Sequence, residues 1–300
     1  NRLALEGINI SLYSPETGWP YGFNSRANPI CNDANSKKYI GALITHTYGT
    51  DYGTSFSVPD SFISIWQSMK STANSCGKKL WMTEFCRSSQ ANNDNSWSDG
   101  MLMAQHIHNA LYYGDVSAYI SWEFFDAPEP IINKAGTKFY RFNTQRQYFK
   151  FIKPGVVRIN TQSGDSNVLV TAFDDKQRKN ITIVAINRKT SSDNAVFNIN
   201  NILGLTSMNI IRTTQTEPSI NVGSVSISGN SFNYNLLADS VTTFTGTYSQ
   251  TSSVIDCDAD NDGFDNNNST CSGNDCNDNN ANIHPGAVEN CGNIIDEDSS

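Results

Sequence analysis

The sequence predicts an α/β region followed by an all-β region and a short acidic tail. Three observations carry that reading. Between residues 39 and 122, short apolar runs alternate with helix-length amphipathic stretches. From Val156 the apolar period shortens to two, and after Val254 apolar side chains thin out while Asp, Asn and Cys accumulate. Strands separated by helices imply a parallel sheet with right-handed crossovers. Alternating runs bounded by Asn, Ser, Gly and Asp imply a β-sandwich.

Residues 7–14 read as the first strand, with Pro15, Glu16 and Thr17 at its end. Residues 39–46 read as the second, ending in His46. Asp60 is placed to N-cap a helix whose apolar face is Phe62, Ile63, Trp66 and Met69, with Gly77 to stop it. Leu80, Trp81, Met82, Thr83 and Glu84 follow, an apolar run that ends abruptly in a carboxylate. Such a run suits a strand covered on both faces, whose C-terminal end lies on the rim where α/β enzymes do chemistry. Ser98 or Asp99 is expected to cap the next helix, which carries Leu102, Ile107, Ala110 and Leu111. Residues 116–122 are a further strand, ending beside Trp122 and Glu123. A loop with Pro128 and Pro130 comes next, then a helix over 141–152 ended by Pro154 and Gly155. The alternating strands are expected at 156–162, 167–173, 181–187, 195–199, 208–214, 224–228 and 241–248. The organisation is therefore 1–153 for the α/β region, 154–250 for the sandwich and 251–300 for the tail. The sandwich either binds substrate or simply packs on the α/β region.

Charge is informative once divided. The formal net charge is −8, yet residues 254–300 hold 11 acidic side chains and no Lys or Arg. Residues 1–253 are left with 21 basic and 18 acidic side chains, a net +3. Nucleic acid is not the expected partner, because phosphate binding needs a basic footprint. No membrane span is expected either, because no apolar run reaches the necessary length. Of the seven cysteines, Cys257, Cys271, Cys276 and Cys291 lie in the tail. Two disulfides and an oxidising compartment are the expectation there. Zinc is the alternative, but the spacings contain no CxxC pair and the many carboxylates and amides suit a hard cation better.

Four stretches, taken in order, resemble glycoside hydrolase family 30. Thr45-His46-Thr47-Tyr48-Gly49 is similar to its sixth barrel strand, Leu80-Trp81-Met82-Thr83-Glu84 to the seventh, and Ile120-Ser121-Trp122 to the eighth. The run from Gln147 to Ile159, through Lys153-Pro154-Gly155, is similar to the junction between helix and side sandwich. The resemblance implies a partial (β/α)8 TIM barrel, strands 5–8, joined to a β-sandwich, with Glu84 as the nucleophile of a retaining β-glycosidase. The family's acid/base glutamate belongs to the fourth strand, so this sequence is expected to be a piece lacking it and inactive alone. The implied substrate is a β-linked polysaccharide, xylan or glucuronoxylan first, with β-1,6-glucan or glucosylceramide as alternatives. Glucuronate-dependent members carry an arginine soon after the eighth strand; here Phe124, Phe125 and Asp126 stand there, with Lys134, Lys138 and Arg141 beyond. A rival of another class is a non-catalytic carbohydrate-binding or adhesion protein.

Retaining hydrolysis uses two carboxyl groups about 5–5.5 Å apart, one attacking the anomeric carbon and one protonating the leaving oxygen. An attacking carboxylate needs hydrogen-bond donors around it. Tyr48 or His46 can supply one, Glu16 can bind substrate or support the site, and Trp122 can form an apolar platform under a sugar ring. Glu84 as a strand-end capping or ion-pairing glutamate, and His46 and Trp122 as core residues, are the competing readings. No cofactor is expected for catalysis. The tail resembles a MopE-like, Cys-containing acidic repeat. Asp258, Asp260, Asp262 and Gly263 have the pattern of a calcium loop, with Asp275 and Asp278 to complete the oxygens. Ser269 stands where an EF-hand would carry its bidentate glutamate. A disordered acidic tail is the alternative.

Overall fold

A computed structural model describes residues 10–48, 62–85, 95–125 and 130–251, with 264, 273, 274, 277, 280 and 282–287 of the tail. The chain forms two compact units. One comprises Asn1–Ile199 and Gly204–Ser249, the other Asn200–Leu203 and Gln250–Ser300.

In the first unit, β1 (Leu12–Thr17), β2 (Ile40–His46), β3 (Lys79–Phe85) and β4 (Ala118–Ser121) form a parallel sheet in that order. Its helices are α1 (Phe23–Asn32), α2 (Ala34–Lys37), α3 (Ile63–Cys76), α4 (Trp97–Tyr112) and α5 (Tyr140–Phe149). The first strand lies later than residues 7–14, so Pro15, Glu16 and Thr17 belong to it. Among the described strands β1 pairs only with β2, and an edge strand tolerates the missing proline N–H. Residues 1–9 lie outside the described ones.

The interior Pro29 hid α1 from the sequence reading, since proline disfavours a helix interior. The helix is held by Phe23 and Ala27, one turn apart and both buried, and by a disulfide from Cys31 to Cys76 at the end of α3. Helix α3 buries Trp66, Met69, Ala73 and Cys76, the i, i+3, i+7, i+10 stripe of an amphipathic helix. Gly77 closes it at φ 62°, a left-handed cap that glycine adopts without penalty. The expected cap Asp60 lies outside the described residues.

Helix α4 is capped by Ser96, not by Ser98 or Asp99. The Ser96 side chain accepts the Asp99 N–H at 3.2 Å, while the Asp99 carboxylate is drawn to Arg141 on α5. Every residue from Asp99 to Ala110 is buried, because α4 lies between two cores. Leu102, Met103 and Ala110 pack with Trp66, Leu80, Met82 and Phe85 of the parallel-sheet core. Met101, Ala104 and Ile107 pack with Leu169, Val184, Ile186 and Val241. At the helix exit a Cβ on Gly114 would stand 2.5 Å from the Trp66 ring, so only glycine allows that approach. Helix α5 starts one residue earlier and ends three earlier than the 141–152 reading, well before Pro154.

The second core belongs to β5 (Val157–Ile159), β6 (Val168–Asp175), β7 (Asn180–Asn187) and five later strands: β8 (Asp193–Asn198), β10 (Ser207–Thr213), β11 (Ile220–Ser226), β12 (Ser231–Leu236) and β13 (Ser240–Thr247). Six of these form an antiparallel sheet ordered β11-β10-β13-β7-β6-β5, and β12 pairs with β8. The two layers meet at Phe244, which the stacked Phe197 and Phe232 rings approach at 5.0 Å each. Strand β12 was not expected from the sequence, and β11 starts four residues before the expected 224. In the second unit, β9 (Ile202–Leu203) pairs with β14 (Gln250–Thr251), and Phe264 stacks on His284 at 4.9 Å. Among the described residues no helix is long and apolar enough to cross a membrane.

Candidate active site

The C-terminal ends of β1, β2 and β3 bring four of the expected side chains together. Glu84 is the penultimate residue of β3 and pairs in register with His46, the last of β2. Tyr48, two residues past the strand, donates its phenolic O–H to Glu84 Oε1 at 2.5 Å. His46 Nδ1 lies 3.7 Å from the same oxygen, and its Nε2 is hydrogen-bonded to Glu16 Oε1 at 3.2 Å. Glu84 is 26% exposed and His46 20%, against 52% for Glu16. The cluster is therefore a wet rim whose inner end is the Glu84 carboxylate. His46 is a member of this rim and not a core histidine. Among the described residues, the Glu84 carboxylate meets Tyr48 and His46 of the same cluster, so it points at the rim.

The backbone aims these groups deliberately. Glu16 has φ 43°, a left-handed conformation that costs a non-glycine residue about 1–3 kcal/mol and that concentrates at functional sites. The next residue secures it: Thr17 Oγ1 lies 2.7 Å from Thr45 Oγ1, which also donates to the Thr17 carbonyl at 3.2 Å. The Thr47 N–H donates to the Glu84 carbonyl at 3.3 Å, and the Trp122 N–H to the Phe85 carbonyl at 2.9 Å. Trp122 thus joins the cluster through its backbone. Trp122 is 46% exposed.

One residue behind the rim, His106, went unnoticed in the sequence. His106 of α4 reaches Thr47 with Nε2 (3.1 Å) and the Tyr119 hydroxyl with Nδ1 (2.8 Å). Burial pushes its pKa down to about 3, so the ring is neutral. The only signal was a pair of histidines, His106 and His108, two residues apart on α4. The basic residues past β4 divide by burial. Arg141 is buried, 1% exposed, with Nε 2.7 Å from Asp99 Oδ2, whereas Lys134 and Lys138 are exposed. The expected metal ligands Asp258, Asp260, Asp262, Asp275 and Asp278 all lie outside the described residues, as do Cys86 and the four tail cysteines.

Comparison with known proteins fits this geometry. No family model matches the sequence. A glucuronoxylanase XynC of Bacillus subtilis (strain 168) is 33% identical over 241 residues, 79% of this chain and 53% of that protein. The chain thus spans about half the length of the curated relatives it matches. Among solved structures, a family 30 endoxylanase from Clostridium papyrosolvens C71 aligns with TM-score 0.66 at 28% identity, over 81% of this chain and 57% of that one. The family 30 subfamily 8 xylanase Xyn30A from Clostridium acetobutylicum aligns with TM-score 0.67 at 25% identity, with the same coverage. These relatives support glycoside hydrolase family 30. The MopE-like character of the tail rests on its sequence alone.

Proposed function

We propose that this chain carries the nucleophile half of a retaining β-glycosidase acting on xylan. In this reading β1–β4 are strands 5–8 of a (β/α)8 barrel over residues 1–153, residues 154–250 are its side sandwich, and Glu84 attacks the anomeric carbon. One observation carries it: a strand-end carboxylate held at 2.5 Å by a phenol, with an imidazole at 3.7 Å on the same oxygen. The phenol orients one oxygen of Glu84 and leaves the other to attack, which forms a glycosyl-enzyme ester as the leaving oxygen takes a proton from the general acid. Water then attacks the same carbon and the ester C–O bond breaks, returning the Glu84 carboxylate. Glu16 supports this through His46 rather than serving as the acid. Trp122 offers its exposed ring as a sugar platform. The names of the relatives support xylan as substrate. Arg141 is buried against Asp99 and is removed as a glucuronate ligand, so the reading includes cleavage of xylan without glucuronate side groups. The disulfide between Cys31 and Cys76 favours an oxidising, extracellular setting. Calcium held by Asp258, Asp260, Asp262, Asp275 and Asp278 remains part of the proposal for residues 251–300. No heat on titrating the intact protein with millimolar calcium would remove it.

The test is to treat the full-length protein, with the strand that carries the general acid, with a 2-deoxy-2-fluoro-β-xylobioside bearing a dinitrophenolate leaving group, then map the modified peptide. The label is expected on Glu84, and Glu84→Gln should lower xylan turnover by about 10³-fold or more. A label on another carboxylate, or normal turnover in the variant, overturns the nucleophile assignment. A panel with glucuronoxylan, unsubstituted xylan and β-1,6-glucan separates the substrates. Carbohydrate binding without turnover of any of them would favour the non-catalytic alternative.

A further inference from the structure

Behind the rim, one buried ring touches β3, β4 and the residue just past the end of β2. His106 is 2% exposed and lies on α4. Its plane stacks on Phe85, the residue after Glu84, with centroids 3.5 Å apart and planes 1° from parallel. Its Nε2 reaches the hydroxyl of Thr47, the residue between His46 and Tyr48. Its Nδ1 reaches the hydroxyl of Tyr119 on β4, three residues before Trp122. The Trp66 ring of α3 closes the fourth side edge-on at 5.6 Å. In a neutral imidazole one nitrogen donates and the other accepts. Hydroxyls at both ends rotate to suit either tautomer, so the site is built for a ring and not for an ion.

The structure assigns His106 as a positioning residue: a strut that sets the spacing of the β2, β3 and β4 ends and thereby holds Tyr48 within hydrogen-bond reach of Glu84. This rests on the reading of Glu84 as nucleophile. Thr47 and Phe85 are each covalently next to a rim residue, and the Thr47 N–H already donates to the Glu84 carbonyl. Freed from the ring, Thr47 and Phe85 can shift by a fraction of an ångström, and Tyr48 and Glu84 move with them. Such displacements in an active site cost far more in rate than in stability.

His108 supplies the control. It is as deeply buried on the same helix but faces away, with Nδ1 2.6 Å from Thr171 Oγ1 on β6 and its ring stacked on Tyr112. The experiment compares His106→Phe, His106→Asn, Thr47→Val and His108→Phe in the intact protein by xylan kinetics, thermal melting and crystallography. His106→Phe is expected to lower kcat by about 10²-fold with KM within about twofold. The Asn variant, which can still meet one hydroxyl, should recover part of that loss. Thr47→Val keeps the fold's shape and should lower kcat in the same sense. His108→Phe should lower the melting temperature and leave kcat unchanged. Folded His106→Phe and Thr47→Val with wild-type kcat overturn the proposal, as does a kcat loss in His108→Phe equal to that in His106→Phe. If the full-length wild-type protein, with the strand that carries the general acid, turns over no β-linked glycan, the nucleophile reading fails. The crystal structure of Thr47→Val then judges the strut by itself, and a Tyr48–Glu84 distance still at 2.5 Å sinks it.

Discussion

The rim of the parallel sheet and the seam between α4, α5 and the six-stranded sheet are both polar, but they handle polarity in opposite ways. At the rim, Glu16, His46 and Glu84 are partly wet and hold one another through ionisable groups. At the seam, Gln147 donates to Thr213 at 2.6 Å and accepts from Thr243 at 2.6 Å, His108 meets Thr171, and Trp97 donates to Asp239 at 2.6 Å. There the groups just named are mostly neutral and buried, and each meets a partner, whereas the Gln145 amide of α5 is buried without a hydrogen bond among the described residues. The contrast teaches where to look for chemistry in such a chain. A buried polar group with a fitted neutral partner specifies packing, whereas partly exposed ionisable groups crowded on one oxygen need a purpose beyond it.

Substitutions at the seam should therefore cost stability, and those at the rim should cost rate. The largest effect is expected from Arg141→Leu, which leaves the buried Asp99 carboxylate without its 2.7 Å partner. Breaking one side of a buried pair costs about 3–5 kcal/mol, readable by urea unfolding, while kcat of the surviving folded protein should hold. A kcat loss as large as the stability loss would mean that the two regions are not separable in this way.

Acid should attack the protein through α4 first. His106 and His108 are each held at a pKa of about 3 by burial, against 6.5 in the open chain. Unfolding then takes up protons. Their contribution is complete above pH 6.5 and drains away as pH falls from 6.5 towards 3, at up to about 1.4 kcal/mol per pH unit for each ring. His108→Gln should remove half of that slope in unfolding measurements between pH 7 and 5. An unchanged slope would show that the histidines are not what acid acts on.

The smallest effect is the sharpest test of the rim. Tyr48→Phe deletes the 2.5 Å hydrogen bond to Glu84 and keeps the ring. A loss of about tenfold in kcat, with melting unchanged, is expected for one hydrogen bond to a charged group. If melting falls and kcat does not, Tyr48 belongs with the seam.

The sheet, its crossover helices and the change to alternating strands were legible because apolar periodicity is local. The Leu80-to-Glu84 run and the 39–46 run announce their strands without help from distant residues. Glu84, His46, Tyr48 and Glu16 could be nominated because each sits at or just past a strand end. What could not be read was whatever tertiary contact decides. Helix α1 overrides Pro29 by burying Phe23 and Ala27 and by the Cys31 bond. The cap of α4 moved to Ser96 because Asp99 is committed to an arginine 42 residues away. His106 gave no periodic signal at all, since a helix buried on every side has no polar face against which a histidine stands out.

That all-round burial has a consequence for how the molecule is made. Trp97 meets Asp239 across 142 residues, and Val241 belongs to the same core as Met101. During synthesis α4 emerges with one flank already served by β3, while the other is covered in stages by Tyr148, Leu169, Val184 and Ile186 and last by Val241. The α4 layer is then completed by strands of the antiparallel sheet that the ribosome delivers later, so a nascent chain stopped short of β13 keeps part of an oily flank open to chaperones and proteases. Truncations that spare every rim residue but end before Val241 should be cleared by the cell rather than accumulate.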